Sequence, residues 1–462
     1  MDALDLARWQ FGITTVYHFL FVPLTIGLAF VVAALQTAWV RSGDAKWLRL
    51  TRFYGELFLI NFALGVVTGI VQEFQFGMNW SDYSRFVGDI FGAPLAIEGL
   101  LAFFLESTFI GLWIFGWGRL GRRLHLATIW LAAIGTVLSA YFILAANAWM
   151  QHPVGFELNP VSGRAELNDF LAVLTNSTAV VTFVHTISAA FLTAGAFVAG
   201  IALWRLRRPD DDAGAFRSAA RLGAVTVLAG ALIVVVSGDQ MARLMTDQQP
   251  MKMAAAEALY QTEAPASFSL FTIGTLDGSK EVWSVRVPNL LSFLATGTLD
   301  GEVEGINDLQ AAYESRYGPG DYRPNIPIAY WTFRLMIGLG TLAGLVALWM
   351  LWALRGGRRS AGRWLVRAAL VLPLMPLAAN SLGWIFTEMA RQPWIVFGVM
   401  PTAAGVSPGT STAEVLITMI GFTLLYGALA VVEVRLLLRR IRLGLPDADE
   451  PTEHAEAPAF AY

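Results

Sequence analysis

Nine times between residues 13 and 438 the sequence runs through some twenty or more residues that are almost all apolar. A helix needs about 20 such residues to cross roughly 30 Å of hydrocarbon, so each run is long enough to span a bilayer. Lipid offers the backbone no hydrogen-bond partner, which restricts single spanning segments to helices. The expected fold class is therefore an all-α integral membrane protein, a bundle of about nine transmembrane helices. They are placed near 13–39, 53–77, 95–116, 124–148, 178–204, 219–238, 327–354, 364–387 and 412–438. Of the 462 residues only 15% are charged, against about a quarter in soluble domains.

The connecting segments orient the spans. Arg41, Lys46, Arg49 and Arg52 follow the first, and Arg119, Arg122 and Arg123 follow the third. Arg205, Arg207, Arg208, Arg217 and Arg221 join the fifth to the sixth. Arg355, Arg358, Arg359, Arg363 and Arg367 lie between the seventh and eighth, and Arg435, Arg439, Arg440 and Arg442 end the ninth. In the short alternate loops Arg85, Arg164 and Arg391 are nearly alone. Basic loops stay on the cytoplasmic side, which predicts an outside N-terminus and an inside C-terminus. The N-terminus has no clearly basic start and its apolar run is too long for a signal, so it is expected to be a retained first span.

Four regions follow: helices 1–6 over 1–238, a polar extracytoplasmic segment over 239–326, helices 7–9 over 327–445, and an acidic tail over 446–462. The stretch DQMARLMTDQQPMKMAAAEALYQTE reads as helix broken near Pro250, and TLDGSKEVWSVRVP as a short hairpin. The tail, rich in Ala and Pro, reads as disordered. A net charge of −3 with no basic, aromatic-interleaved patch argues against nucleic acid. With no cysteine, disulfides, iron–sulfur clusters, thiolate metal sites and CxxCH-attached haem are excluded.

Chemistry must come from few residues. Among five histidines, His18 and His185 lie well inside spans. His125 sits beside Arg122 and Arg123 and reads as interfacial, while His152 and His454 read as solvated. His18, His185, Met336 and Glu98 fall at similar depth on four spans. A lone intramembrane histidine serves packing as often as ligation, and a lone Met is more often core filler, but four such groups form a layer. Glu98 and Glu106 stand in LAIEGLLAFFLESTFIGLW, where ionised groups are expensive and usually face an interior or a water path. Eight residues apart, they are about 12 Å apart along an α-helix and rotated by about 80°. With Ser107 and Thr108 beside them they resemble two stations on a polar route, a structural ion pair being the bland alternative. Glu388 and Arg391 are neighbours at i,i+3, Trp394 follows, and Arg334 is a second buried cation. Haem binding and ion-coupled transport are both compatible with these residues alone. A dihaem quinone-reactive subunit typically pairs histidines on opposing helices and has too few here, since only His18 and His185 lie well inside spans.

Longer motifs narrow the choice. RWQFGITTVYHFLFVPLTIG at 8–27, GIVQEFQFGMNW at 69–80, FFLEST at 103–108, AANAWMQHPVG at 145–155, SGDQ at 237–240, YWTFRLMIGLG at 330–340 and ARQPW at 390–394 occur in order. They resemble subunit I of the cytochrome bd-type quinol oxidases, over nearly the whole chain to about residue 440. Two positions depart from that pattern: Ala390 stands where Gly is usual, and His152 where Asn is familiar.

The resemblance implies a set of roles. His18 would be the axial ligand of a high-spin haem b, and His185 and Met336 the two ligands of a low-spin haem b. Glu98 would serve the third haem, a haem d or another haem b, where dioxygen is reduced. Glu106 and Ser107 would feed it protons from the cytoplasm. Arg334, Arg391, Arg8, Trp394 and Glu388 would lie near the haems, with Asn147 also in a motif position. Lys252 and Glu257 would act in quinol oxidation within the 239–326 segment, a short form of the family's Q-loop. Implied with them are menaquinol or ubiquinol, a second membrane subunit, possible single-helix subunits, and a bacterial cytoplasmic membrane. The reaction so implied oxidises quinol outside and reduces dioxygen with protons from inside, building proton motive force without a pump.

Overall fold

The computed structural model describes residues 2–208, 212–355 and 362–447. Arg358 and Arg359 of the basic turn, and His454 with the tail from residue 448, lie outside the described residues. Among those described, nine helical segments are long and apolar enough to cross a membrane.

They run as α1 (Ala3–Ser42), α2 (Ala45–Met78), α3 (Ser81–Ile97) continued through a π-helical turn (Glu98–Phe103) into α4 (Phe104–Phe115), and α5 (Arg122–Gln151). A two-stranded hairpin, β1 (Phe156–Leu158) with β2 (Ala165–Leu167), and a short α6 (Phe170–Leu174) lead to α7 (Ser177–Arg205) and α8 (Ala213–Gln248). Beyond α8 come α9 (Pro250–Glu257), the β3 (Phe268–Gly274)/β4 (Glu281–Val287) hairpin, α10 (Leu290–Thr296) and α11 (Ile306–Tyr317). The chain re-enters the bundle as α12 (Ile326–Ala353), α13 (Arg363–Val371) and α14 (Leu374–Met389), and ends with β5 (Trp394–Val396), β6 (Met400–Pro401) and α15 (Thr412–Leu443).

Local chemistry sets these ends. The Asp2 carboxylate caps α1 by accepting from Asp5 N, and Gly43 closes that helix at φ +69°. Asp44 caps α2 at once, which gives the tight α1–α2 turn. Ser411 and Glu414 form a capping box at the start of α15. Pro373 separates α13 from α14, because proline cannot donate to the helix ladder. The break expected near Pro250 is present, and α8 carries on unbroken to Gln248 before it.

Helices in lipid gain little from the hydrophobic effect between them, so close backbone approach matters more. α7 and α8 meet through Gly195, Gly223 and Gly230. A Cβ on Gly223 would stand 2.6 Å from Ala199 N and 2.7 Å from Gly195 O. Gly27 of α1 lies as tightly on Ala190 and Ala194 of α7. The largest apolar core fills the bundle around these contacts, from Leu28, Phe53 and Phe58 to Val198 and Met350.

The basic segments converge at one end. Arg49 bonds Asp212 at 2.6 Å and donates through Nε to Pro446 O at 2.6 Å, while Arg440 pairs with Glu56. The α9–α11 region lies at the opposite end, called here the loop end.

Gly223→Ala should force α7 from α8, because the atoms it meets are backbone and cannot swing away. A loss of about 1–3 kcal/mol is expected for such overpacking, read as a lower thermal midpoint of the detergent-solubilised chain. Gly427→Ala, where a Cβ meets nothing within 4 Å, should leave the midpoint unchanged or raised.

Candidate functional site

Two histidines inside the bundle share one arrangement. His18 Nδ1 is 2.9 Å from Thr68 Oγ1, and that hydroxyl already donates to the Leu64 and Gly65 carbonyls, each at 3.0 Å. His185 Nδ1 is 3.1 Å from Ser237 Oγ, which donates to Ile233 O at 2.7 Å. Each hydroxyl proton is spent on its own helix, so each hydroxyl accepts from the imidazole. Both rings are thereby set as the Nδ1–H tautomer, with a free lone pair on Nε2. That is the form in which histidine ligates a metal, with its second nitrogen held by an outer partner.

His125 is the contrast. Its Nδ1 lies 2.9 Å from Gln36 Nε2 and its Nε2 2.8 Å from Trp113 O, while Trp113 Nε1 donates to Gln36 Oε1 at 2.7 Å. Both nitrogens are consumed and the ring is 2% exposed. The expected interfacial residue is thus a buried structural one, because Gln36 and Trp113 supply the polar partners that the membrane surface was expected to give. His152 is also not solvated as expected. It is half-buried, and its carbonyl accepts from Asn176 at 2.8 Å, which ties the loop to the start of α7.

His185 and Met336 line one cavity between α5, α7, α8, α9, α12 and α14, with about 1450 Å³ of atom-free space, part of it open to the outside. Glycines form its walls. A Cβ on Gly383 would lie 2.9 Å from Met336 Sδ, one on Gly238 would lie 3.5 Å from His185 Cε1, and Gly340 faces open space. Lys252 closes part of the same wall. Its ammonium is buried, donating to Gln151 Oε1 at 3.0 Å and Thr387 O at 3.1 Å. Burial, with the Arg391 charge nearby, lowers its pKa to about 7, and Glu388 opposes that shift.

Glu257 ends α9. Its carboxylate accepts from Arg334 Nη2 at 2.5 Å and from Ser269 N at 3.2 Å. Burial nevertheless raises its pKa against the pull of Arg334. The Arg334 guanidinium lies over Phe268, Tyr330 and Phe333, at 4.6, 5.0 and 5.2 Å from their centroids. Arg334 Nε and Nη1 are buried without a hydrogen-bond partner among the described residues. The same holds for Arg391 Nη1 and Trp394 Nε1. Arg391 also pairs with Glu388, as its i,i+3 spacing predicts, and Glu388 accepts from Asn147 Nδ2 at 3.1 Å. Arg8 is half-buried with no hydrogen bond or ion pair among the described residues.

The two acids of the third span are closer in azimuth than an α-helix allows. Glu98 opens the π-helical turn. A π turn takes one extra residue, which winds the following helix back by about 100° and cancels most of the roughly 80° offset expected from α geometry. Both acids consequently face α5. Ser139 Oγ donates to Glu98 Oε1 at 2.6 Å, and Gly135, one turn away, gives room to Glu106, whose Cβ and backbone N a Cβ there would meet at 3.0 Å. Glu106 is 7% exposed and within electrostatic reach of Glu98. Glu73 of α2, one turn from the Gly69 that touches His18, also feels Glu98. Ser107 Oγ instead donates to its own helix at Phe103 O, at 2.8 Å, and the residue is half-buried. Thr68, Ser237, Ser139, Glu73 and Gln151 carried no spacing signal in the sequence, because each acts across a helix interface rather than along one helix.

The model for cytochrome bd terminal oxidase subunit I matches residues 6–445. Cytochrome bd ubiquinol oxidase subunit 1 of Bacillus subtilis (strain 168) is 46% identical over 445 residues, covering 96% of this chain and 94% of that protein. Cytochrome bd-II ubiquinol oxidase subunit 1 of Escherichia coli (strain K12) is 38% identical, covering 98% and 99%. The solved bd oxidase from Geobacillus thermodenitrificans superposes with a TM-score of 0.87 at 28% identity, covering 96% of this chain and 99% of that one. A bundle with two ligand-ready histidines, matched from end to end in this way, belongs to the cytochrome bd terminal oxidase subunit I family, and the chain is a multi-pass subunit of a terminal quinol oxidase.

Proposed function

We propose that this chain holds the haems of a quinol:dioxygen oxidoreductase that takes electrons at the loop end and protons at the basic end. The observation that carries the reading is the matched pair of histidine tautomers, one of them facing a thioether across a glycine-walled cavity. The residues fit haem. Nε2 of His185 and Sδ of Met336 would hold one low-spin haem b, and Nε2 of His18 a second haem b. The Glu98 carboxylate would serve a third haem, of d or b type. Donor-only atoms of Arg334, Arg391 and Trp394, buried and unpaired, suit the carboxylates on a porphyrin rim. Arg8 would add a further cation at that level. When bound, haem supplies the one-electron steps and the iron at which dioxygen is reduced to water.

The chain's own groups would handle substrate and protons. Lys252 and Glu257, joined to the His185 cavity by the α9 wall, would bind quinol and receive its protons in the 239–326 segment, a Q-loop. Glu388, held by Arg391 and Asn147, would carry charge between that region and the haem layer. Glu106, and Glu98 one α5 turn further on, would relay protons from the basic end, the step between them made short by the π turn. Ser107, whose hydroxyl is bonded to its own helix, would act through water. With the loop end outside a bacterial cytoplasmic membrane, electrons start outside and protons inside, which separates charge without a pump. The sparsely covered faces of α3/α4, α12 and α15, with 17%, 22% and 11% of their apolar windows buried, would take lipid, a second membrane subunit and any single-helix subunits. Menaquinol or ubiquinol would be the reductant.

Met336→Leu in the intact complex should abolish the low-spin absorbance while the total haem extracted falls by no more than one equivalent. An unaltered low-spin band would remove Met336 from the ligand set. Gly383→Val should imitate that loss, because its side chain would occupy the place of the sulfur.

Lys252 gives a pH test. Below about pH 7 the amine is charged and cannot accept a proton; above it, the neutral form can. Quinol oxidation should therefore rise through that region as pH increases, and Lys252→Met should flatten the limb while leaving the haem spectrum intact. A limb unchanged in the variant would assign the titration elsewhere.

A further inference from the structure

The seam between α1 and α2 is polar along its length from His18 to the loop end. α1 contributes Gln10, Thr14, Thr15 and His18; α2 contributes Thr68, Gln72, Gln75 and Asn79. The two stripes run antiparallel and meet in three places. His18 Nδ1 bonds Thr68 Oγ1 at 2.9 Å, Gln72 Nε2 donates to Thr15 Oγ1 at 2.8 Å, and Asn79 Nδ2 donates to Gln10 Oε1 at 2.8 Å. Thr418 of α15 adds a donor to Gln10 Oε1 at 3.2 Å. Gln10 and Gln75 are 0% exposed.

These direct bonds leave a remainder. Gln10 Nε2, Gln72 Oε1, and both Nε2 and Oε1 of Gln75 are buried without a hydrogen-bond partner among the described residues. Leaving a buried polar atom unsatisfied costs about 1–3 kcal/mol, so four on one seam call for a common partner. The chemistry of the four identifies it. Two are donors and two are acceptors. A carboxylate would satisfy only the donors, and a lipid tail or quinone chain neither kind. Water satisfies both. The spacing agrees: α2 positions three or four residues apart rise about 4.5–6 Å, a gap that one water spans with two bonds of about 2.8 Å.

The geometry points to a row of bound waters along α1 and α2 that joins the His18 site to the loop end and drains the water made at the Glu98 site, which adjoins His18 through Glu73 and Gly69. Its far end is capped by the 402–411 segment, where Ser407 N donates to Asn79 O at 2.9 Å and Ser407 Oγ to Met78 O at 2.9 Å. Half-exposed Thr410 beside exposed Pro408 and Gly409 gives the row its outlet. The row is distinct from the Glu106–Glu98 face, which lies against α5, so water leaves by one seam and protons arrive by another. The drainage role rests on the proposed oxidase reading; the presence of the waters does not.

The test is a water-resolving density map of the intact complex, with two variants. Water oxygens are expected within hydrogen-bond distance of Gln75 Oε1 and Nε2, of Gln72 Oε1 and of Gln10 Nε2. Amides that close on one another, or a carboxylate or lipid chain in their place, would overturn the row. Gln75→Leu removes both bonding atoms at similar volume and should lower quinol-oxidase turnover several-fold at unchanged haem content and spectrum. Gln75→Asn, which can still bind water, should restore it. Equal turnover in all three would overturn the drainage role, and the map decides the row even where a variant fails to assemble. A wild-type complex without haem would instead sink the oxidase reading.

Discussion

Hydrocarbon returns no hydrogen bonds, so each polar atom inside this bundle is answered by another atom of the bundle or marks a place where something else binds. That single rule sorts the intramembrane polar residues. His125, Gln36 and Trp113 answer one another completely and form a closed structural knot. His18 and His185 are answered on one side only, by hydroxyls already committed to their own helices, and each keeps a lone pair for another partner. The same sorting separates the donor-only remainder of Arg334, Arg391 and Trp394 from the mixed remainder along α1 and α2.

Much of this was legible in the sequence. Run length and the Lys/Arg alternation gave nine spans and gathered the basic segments at one end, where Arg49, Asp212 and Pro446 now meet. The i,i+3 pair Glu388–Arg391 and the hairpin that turns at TLDGSK also follow from local spacing. Less legible was anything set by contact between helices. His125 reads as interfacial from its arginine neighbours, yet partners more than 10 residues away in sequence bury it. Thr68 and Ser237 fix the tautomers of the two histidines from other helices, and no one-dimensional pattern announces them.

The third span shows how a local departure from α geometry changes a functional reading. Even spacing at 100° per residue separates Glu98 from Glu106 in azimuth. The π turn that begins at Glu98 brings them onto one face, opposite Gly135 and Ser139, and nothing in EGLLAF identifies it in advance. Such turns recur at functional positions, and here its effect is to shorten the gap between two acids whose chain separation stays the same.

The Glu257 carboxylate joins three pieces of structure: the end of α9, strand β3 through Ser269 N, and α12 through Arg334. Ser269 Oγ reaches α12 a second time at Tyr330, at 2.8 Å, and the β3–β4 turn abuts α12 at Ile326 and Pro327 beside Gly278. The segment between α8 and α12 is thus not a detachable module. A loop grafted from a relative with a different hairpin would arrive without its counterparts on α12 and would misalign the helix that carries Met336, so the segment from residue 249 to residue 336 exchanges between such proteins only as one unit.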